Sequence, residues 1–423
     1  MKKALLHQVI YDQQDDFLSM NNLIKREKTK DVLELLKLKL PIIITGIRRC
    51  GKSSLLKIIS DKLKLTNKDF LYINFNDERL INFSNENFQN ILDYLEENKY
   101  KKKVYLFLDE IQEVKNWEKW IDRIKNKFLI LITGSNSQLL SSEISTILTG
   151  RSINLQLFPF NFREYLNYKN IDFTNYELNT KLQNRIRSEF KKYFSIGGMP
   201  KMIMEKNKII LKELYENIIY RDIVRRFNPN LTGPIKEISI YLLSNVSSDV
   251  SLRTLSKISG VKNLGILSEI YSSFEKAFLF LRINKFNYSI KKQIQTPKKV
   301  YSIDIGFPNN LGFKFSDNLG NLLENLVAIS LKQKDNEFFY YREKIECDFL
   351  VKEKNKITKA IQVTWELSDK NRDREIKGIF EAMKKFELKE GLILTYDEEE
   401  EIIKDDLKIK VMPVWKWLLN NYD

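Results

Sequence analysis

Between Gly46 and Ser53 the chain reads GIRRCGKS, two glycines bracketing a short loop and followed at once by a lysine and a hydroxyl residue. This is the full G-x-x-x-x-G-K-[ST] spacing, placed after an apolar stretch and before a helical pattern. Glycines let successive backbone N–H groups turn toward phosphate oxygens, the helix N-terminus adds partial positive charge, and the lysine ammonium reaches the outer phosphates. Gly46, Ile47, Arg48, Arg49, Cys50, Gly51, Lys52, Ser53 and Ser54 are therefore the candidate nucleotide-binding residues. Lys52 is also a candidate catalytic residue, and the Ser53 hydroxyl a candidate ligand for Mg²⁺.

Such a loop demands a second apolar strand that ends in a carboxylate, and VYLFLDEIQEV supplies one. Asp109 is expected to reach Mg²⁺, directly or through water, while Glu110 orients and activates the attacking water. A strand at Phe70 to Phe75, interposed between these motifs, and the adjacency of Asp109 and Glu110 point to the branch of such ATPases that keeps a catalytic glutamate. The next strand, in FLILITGSNSQLL, carries Ser135 and Asn136 at its end. Either side chain would sense the γ-phosphate or the water, although Ser and Asn are also ordinary turn formers. Arg151 is a candidate arginine finger for the charge on the transferred phosphoryl group, with Arg163 as a weaker one; a surface arginine is the alternative for both.

The elements that must position these residues alternate. Pro41 to Thr45, Phe70 to Phe75, Val104 to Leu108, Phe128 to Thr133 and Ile153 to Leu157 read as strands, mostly apolar throughout, as strands covered on both faces do. Helical patterns at Lys52 to Leu63, Asn85 to Glu97 and Trp117 to Asn126 separate them, giving an α/β, doubly wound parallel sheet. Residues 161–230 turn helical, interrupted by FSIGGMPKMI, and form a helical lid. FNPNLTGP is the best linker. Three helices and two apolar-faced strands follow in 231–315, in the order of a winged helix. Residues 316–423 read as a separate α/β unit. The domain boundaries expected are thus 1–160 for the nucleotide core, then 161–230, 231–315 and 316–423.

Composition narrows the chemistry further. The chain has 423 residues with 71 basic against 56 acidic, a net charge of +15, which favours an anionic partner. Its one histidine, His7, lies near a terminus expected to be mobile, so histidine triads and His-rich zinc sites are excluded. Two cysteines rule out a disulfide framework and suit a reducing compartment. The apolar runs are far short of the roughly 20 residues a spanning helix needs. The N-terminal stretch does not read as a signal peptide, so a cytoplasmic location is expected.

Taken together, ITGIRRCGKSSLL, LFLDEIQEV, ITGSNSQLLSSE, LTGR, FPFNFREYL, FSIGGMP and YRDIVRR resemble the archaeal ATPase family of AAA-type P-loop proteins over nearly the whole chain. The resemblance implies ATP as the nucleotide, Mg²⁺ as its metal, and a C-terminal winged helix and restriction-endonuclease-like domain. In that last domain Glu324, Asp348 and Gln362 fall where nuclease metal ligands belong, but Thr364 stands where the lysine should be. Lys370 or Lys377 would have to substitute; otherwise the fold is kept for binding or structure. Lysines 291, 292, 298 and 299 flank the hairpin and suit phosphate contacts, or are simply solvated. The expected function is an Mg²⁺-dependent ATPase coupled to its C-terminal modules. The alternatives are a nucleotide-gated DNA or protein dock with little turnover, and an ATP-regulated nuclease. A homo-oligomer follows if Arg151 acts in trans.

Overall fold

The structure, a computed structural model, describes residues 1–101, 103–135, 139, 151–313 and 319–420. These residues form two compact units, Met1–Phe158 and Pro159–Asp423.

The first unit is built on a five-stranded sheet: β1 (Ile42–Thr45), β2 (Phe70–Asn74), β3 (Tyr105–Asp109), β4 (Leu129–Gly134) and β5 (Ile153–Gln156), in the order β2-β3-β4-β1-β5. All four pairings are parallel. Every residue of β1 and β4 is buried, the outcome expected of continuously apolar strands covered on both faces. The strand between the loop-bearing β1 and the acidic β3 is β4. The strand at Phe70, which the sequence suggested as the interposed one, lies at the sheet edge. Sequence order cannot reveal this, because a parallel strand returns to the sheet through a crossover that can skip neighbours.

The N-terminal segment departs further from expectation. Lys3–Ser19 is a helix whose Leu6, Val9, Ile10 and Phe17 are fully buried. Its two glutamines treat β2 as a partner strand would. Gln14 donates to Phe70 O at 3.1 Å and accepts from Tyr72 N at 2.9 Å; Gln13 donates to Asn74 O at 3.1 Å and accepts from Asn74 N at 2.9 Å. An edge strand exposes backbone groups that must be paired or solvated, and here side-chain amides pair them. His7 sits on this helix with its ring edge-on to Tyr94 at 4.9 Å, so it belongs to a packed surface and not to a mobile terminus.

The second unit opens with helices Phe162–Tyr168, Thr180–Ile196, Pro200–Glu205 and Lys208–Asn217. The FSIGGMP interruption is a turn at Gly197 and Gly198, clamped by the fully buried carboxylate of Asp304. Gly198 N donates to its Oδ2 at 2.5 Å and Gly306 N to its Oδ1 at 2.8 Å. A side chain at Gly197 would place its Cβ 2.0 Å from Asp304 Oδ1, and its φ of +79° suits glycine alone. Burial raises the Asp304 carboxyl to about 6, despite the two N–H donors, and no cation among the described residues opposes it. The expected linker is folded: Pro229–Leu231 makes one tight turn that runs directly into the helix Thr232–Ser244, with Pro234 in its first turn, where a missing N–H costs nothing.

Helices Leu252–Ser259 and Leu264–Lys276 follow, with a three-stranded antiparallel sheet of β6 (Ser248–Val250), β7 (Phe280–Ile283) and β8 (Lys298–Ser302), in the order β6-β8-β7. The helix Leu319–Gln333 then leads into a six-stranded mixed sheet of β9 (Glu337–Arg342), β10 (Glu346–Glu353), β11 (Lys356–Val363), β12 (Glu390–Thr395), β13 (Glu400–Lys404) and β14 (Leu407–Pro413), in the order β13-β14-β12-β11-β10-β9. The helix Arg372–Lys385 packs on it through Ile379 and Met383 against Leu350, Ile393 and Val411. No helix among the described residues is long and apolar enough to cross a membrane.

Candidate functional site

Parallel register brings the chemistry of the first unit to one place. Thr45 pairs with Gly134 and Leu108 with Ile132, so the C-terminal ends of β1, β3 and β4 lie level. The loop Gly46–Gly51, the Asp109–Glu110 pair and Ser135 all leave the sheet at this edge, where open α/β sheets bind ligands.

The loop keeps its shape for identifiable reasons. Gly46 has φ +155°, and a Cβ there would lie 2.1 Å from Leu157 O; Gly51 has φ +102°. Arg49 adopts φ +62° between them. Arg26, which the sequence did not single out, holds the loop from outside: its guanidinium donates to Cys50 O at 2.8 Å and to Phe158 O at 2.6 Å. The Cys50 thiol is fully buried, donates to Leu157 O at 3.5 Å, and is pushed up by burial, so it serves as packing and not as a nucleophile.

Lys52 is the first residue of the helix Lys52–Lys62 and is 5% exposed. Its ammonium donates to Gly46 O at 3.1 Å and lies 3.4 Å from Glu110 Oε1. Burial works to lower it, but the Glu110 carboxylate foremost and Asp109 after it outweigh that, so it stays charged. Ser53 donates to Asp109 Oδ2, which also accepts from the Tyr72 hydroxyl at 2.8 Å; Thr133 donates to Asp109 Oδ1. Burial and the neighbouring Glu110 nevertheless raise Asp109 above the ordinary carboxylate range.

Glu110 is held in the left-handed region at φ +53°, unusual for a residue with a side chain. Thr133 fixes its backbone by accepting from Glu110 N at 3.2 Å. Its Oε2 accepts from Ser135 N at 3.1 Å, Ser135 Oγ at 3.0 Å and Gln112 Nε2 at 2.5 Å, which leaves Oε1 to face Lys52. Burial works to raise Glu110, but Lys52, these donors and Arg48 overcome it and hold the carboxyl below its usual value. The result is an oriented, ionised carboxylate beside a buried ammonium.

The donor set suits Mg²⁺. A hydroxyl and a carboxylate oxygen, both hard, lie in contact as Ser53 and Asp109, and a hard dication that keeps several waters needs only one or two such protein ligands.

Arg151 is not brought to this site. Arg151 precedes β5 and, because Ile42 pairs with Ile153, stands below the start of β1, at the N-terminal edge of the sheet. Six residues of strand separate that level from Gly46, roughly 20 Å. Arg151 instead pairs with Asp122 at 3.2 Å, so it cannot serve the loop of its own chain. Asn136 lies outside the described residues. Arg163 donates to Leu419 O at 2.9 Å in the second unit. Arg26, Tyr72, Gln112 and Thr133 support the site without any motif to announce them. A separate cleft of about 400 Å³, lined by Met20, Asn22, Lys57 and Asp61, lies further along the Lys52–Lys62 helix and is not the phosphate position.

In the second unit, Glu324, Asp348 and Gln362 do converge. The ammonium beside them comes from Lys299 on β8, not from Lys370 or Lys377, and Lys299 is 2% exposed, not a solvated hairpin lysine. Lys291 and Lys292 are exposed as expected.

Residues 39–166 match the family described as AAA domain, and residues 187–318 match a domain of unknown function. The uncharacterized protein MJ1544 of Methanocaldococcus jannaschii is 35% identical, over 99% of this chain and 96% of that protein. An uncharacterized protein of Haemophilus influenzae is 28% identical, over 79% of this chain and 84% of its own length. Among solved structures, the Walker-type ATPase PABY2304 of Pyrococcus abyssi is similar at a TM-score of 0.46 and 16% identity, over 69% of this chain and 96% of that one. The chain carries an AAA-type P-loop ATPase domain and belongs to the family of the uncharacterized protein MJ1544.

Proposed function

We propose that this protein is an Mg²⁺-dependent ATPase. The reading rests on one observation: Lys52, Ser53, Asp109 and Glu110 converge at the C-terminal edge of a parallel sheet, with the Lys52 ammonium 3.4 Å from Glu110. The backbone of Gly46 to Ser54 cradles the phosphates, and Lys52 neutralises their outer oxygens. Ser53 and Asp109 hold Mg²⁺, which when bound offsets charge on the phosphoryl group. Glu110, pinned by Ser135 and Gln112 on one oxygen, keeps the other for the attacking water and takes its proton. Arg151 is left only a role in trans, and with it a homo-oligomer.

The modules that follow are read as a winged helix and a restriction-endonuclease-like domain that ATP repositions. A nucleotide-gated dock with little turnover is the second reading, favoured by the exposed Tyr288, Ile290 and Ile294 interleaved with Lys291 and Lys292 at the hairpin tip. That mixture suits the phosphates and bases of DNA better than an acidic protein face. A cytoplasmic location belongs to the same reading.

Phosphate release by the full chain tests it, measured with Mg²⁺-ATP over a dilution series and with added DNA. Turnover that disappears in Lys52→Ala and Glu110→Gln is expected. ATP binding without turnover in the wild type would leave the gated dock, and the absence of binding would overturn both.

A further inference from the structure

Lys299 carries a second charge cluster. Its side chain is 3% exposed, and its ammonium lies 2.5 Å from Glu346 Oε1, 3.0 Å from Glu324 Oε1 and 3.4 Å from Asp348 Oδ1. The four residues come from three elements: β8 of the small sheet, the helix Leu319–Gln333, and β10 of the large sheet. An ammonium has three N–H donors, and three carboxylates take them all.

Several neighbouring donors engage the same carboxylates. Glu324 Oε1 accepts from the Tyr301 hydroxyl at 2.7 Å, Asp348 Oδ2 from Val363 N at 2.8 Å, and Glu346 Oε2 from the Arg342 guanidinium. Gln362 uses its Oε1 on Asp348 N at 3.2 Å and its Nε2 on Glu375 at 2.6 Å. Thr364 donates to Glu366 O at 3.0 Å. The ligand set expected of a metal-dependent nuclease is therefore present in part, but it does not fit a divalent ion. A dication would have to expel a buried ammonium that β8 supplies covalently, and the Gln362 oxygen is already engaged by Asp348 N.

We infer that Lys299 is the resident cation of this cluster: it stands where a divalent ion would otherwise be required, and it joins the three-stranded sheet to the six-stranded one. Further contacts link the same pieces. Phe286 N donates to Tyr340 O at 2.7 Å, Tyr340 N donates to Asn284 O at 3.2 Å, and Arg342 pairs with Asp249 at 2.8 Å. The role of the cluster is to fix the geometry between the two sheets, and it takes neither a metal nor a phosphodiester.

The test uses the nucleotide-free full chain, titrated with Mn²⁺ and followed by electron paramagnetic resonance, so it does not depend on ATP turnover. Wild type and Asp348→Asn are expected to bind Mn²⁺ identically. Lys299→Met should lose about 10 °C in Tm. It should also gain a Mn²⁺ site at least tenfold tighter than any in the wild type, lost again on adding Asp348→Asn. A wild-type Mn²⁺ site abolished by Asp348→Asn would overturn the inference, as would a folded Lys299→Met that binds no more Mn²⁺ than wild type. Should Lys299→Met not fold, the wild-type and Asp348→Asn pair decides alone. Plasmid nicking equal in wild type and Asp348→Ala is expected, and nicking lost in that variant would overturn it.

Discussion

The chain buries a lysine among carboxylates twice, and the two places differ in what they leave unsatisfied. At the end of β1, Lys52 faces one carboxylate and the carbonyls of its own loop, while Ser53 and Asp109 present oxygens in contact. In the second unit, Lys299 meets three carboxylates at once, and neighbouring donors engage each of them further. Each cluster even has its buried tyrosine, Tyr72 on Asp109 and Tyr301 on Glu324. Composition is thus no guide to function here. An incomplete shell at a helix N-terminus can exchange partners for an incoming phosphate, whereas an ammonium with all three donors taken by carboxylates holds its place.

The comparison can be broken most directly through catalysis. Glu110→Gln should slow ATP turnover by roughly 10²- to 10⁴-fold while leaving nucleotide binding intact, in single-turnover assays. Mutating Lys299 should leave the chemical step unaltered in any variant that folds.

The next effect is on stability. Lys299→Met strands three buried carboxylates and should cost about 3–5 kcal/mol in urea unfolding, as breaking a buried pair does. Lys52→Met, which strands one partly exposed carboxylate, should cost clearly less. Equal losses would erase the distinction drawn between the two shells.

Asp304 sharpens the contrast, being a buried carboxylate with N–H donors but no cation partner among the described residues. Its folded-state carboxyl titrates at about 6, above the ordinary value, so the folded state holds its proton more tightly than the unfolded chain does. The stability it contributes is full below the unfolded value and is lost as pH rises through about 6. Relative to Asp304→Asn, the wild type should therefore gain roughly 2 kcal/mol between about pH 7.5 and about pH 4.5, measured by urea unfolding. No difference in slope would mean that a cation partner is present after all.

The smallest effects come from the tyrosines. Tyr301→Phe and Tyr72→Phe each remove one donor to a buried carboxylate and should each cost about 1–2 kcal/mol by thermal unfolding. In Tyr72→Phe, Mg²⁺-ATP should recover part of the loss by binding the folded state; in Tyr301→Phe it should not.

Much of this is legible in the sequence. The apolar runs at Ile42, Tyr105 and Leu129 identified buried parallel strands, and the loop motif located Gly46 to Ser53 on local grounds, since glycine freedom and a helix start are properties of adjacent residues. The helix Lys3–Ser19 is hard to read from sequence because its buried stripe, Leu6, Val9, Ile10, Gln13, Gln14 and Phe17, carries two glutamines, which bond to a strand edge that exists only once the sheet forms. Arg151 was placed with the site because it precedes a strand, but only register says which end of that strand meets the phosphate loop.

What the amino-acid order settled by itself was therefore whatever depends on near neighbours: the phosphate loop, the acidic pair, and the strands that carry them. The tertiary structure alone decided that Lys299 lies among Glu324, Glu346 and Asp348, that Arg26 braces the loop, and that Arg151 faces away from it. Coulomb forces and hydrogen bonds act through space between groups that folding brings together, and no spacing rule along the chain encodes a meeting between residues 25 and 49 positions apart.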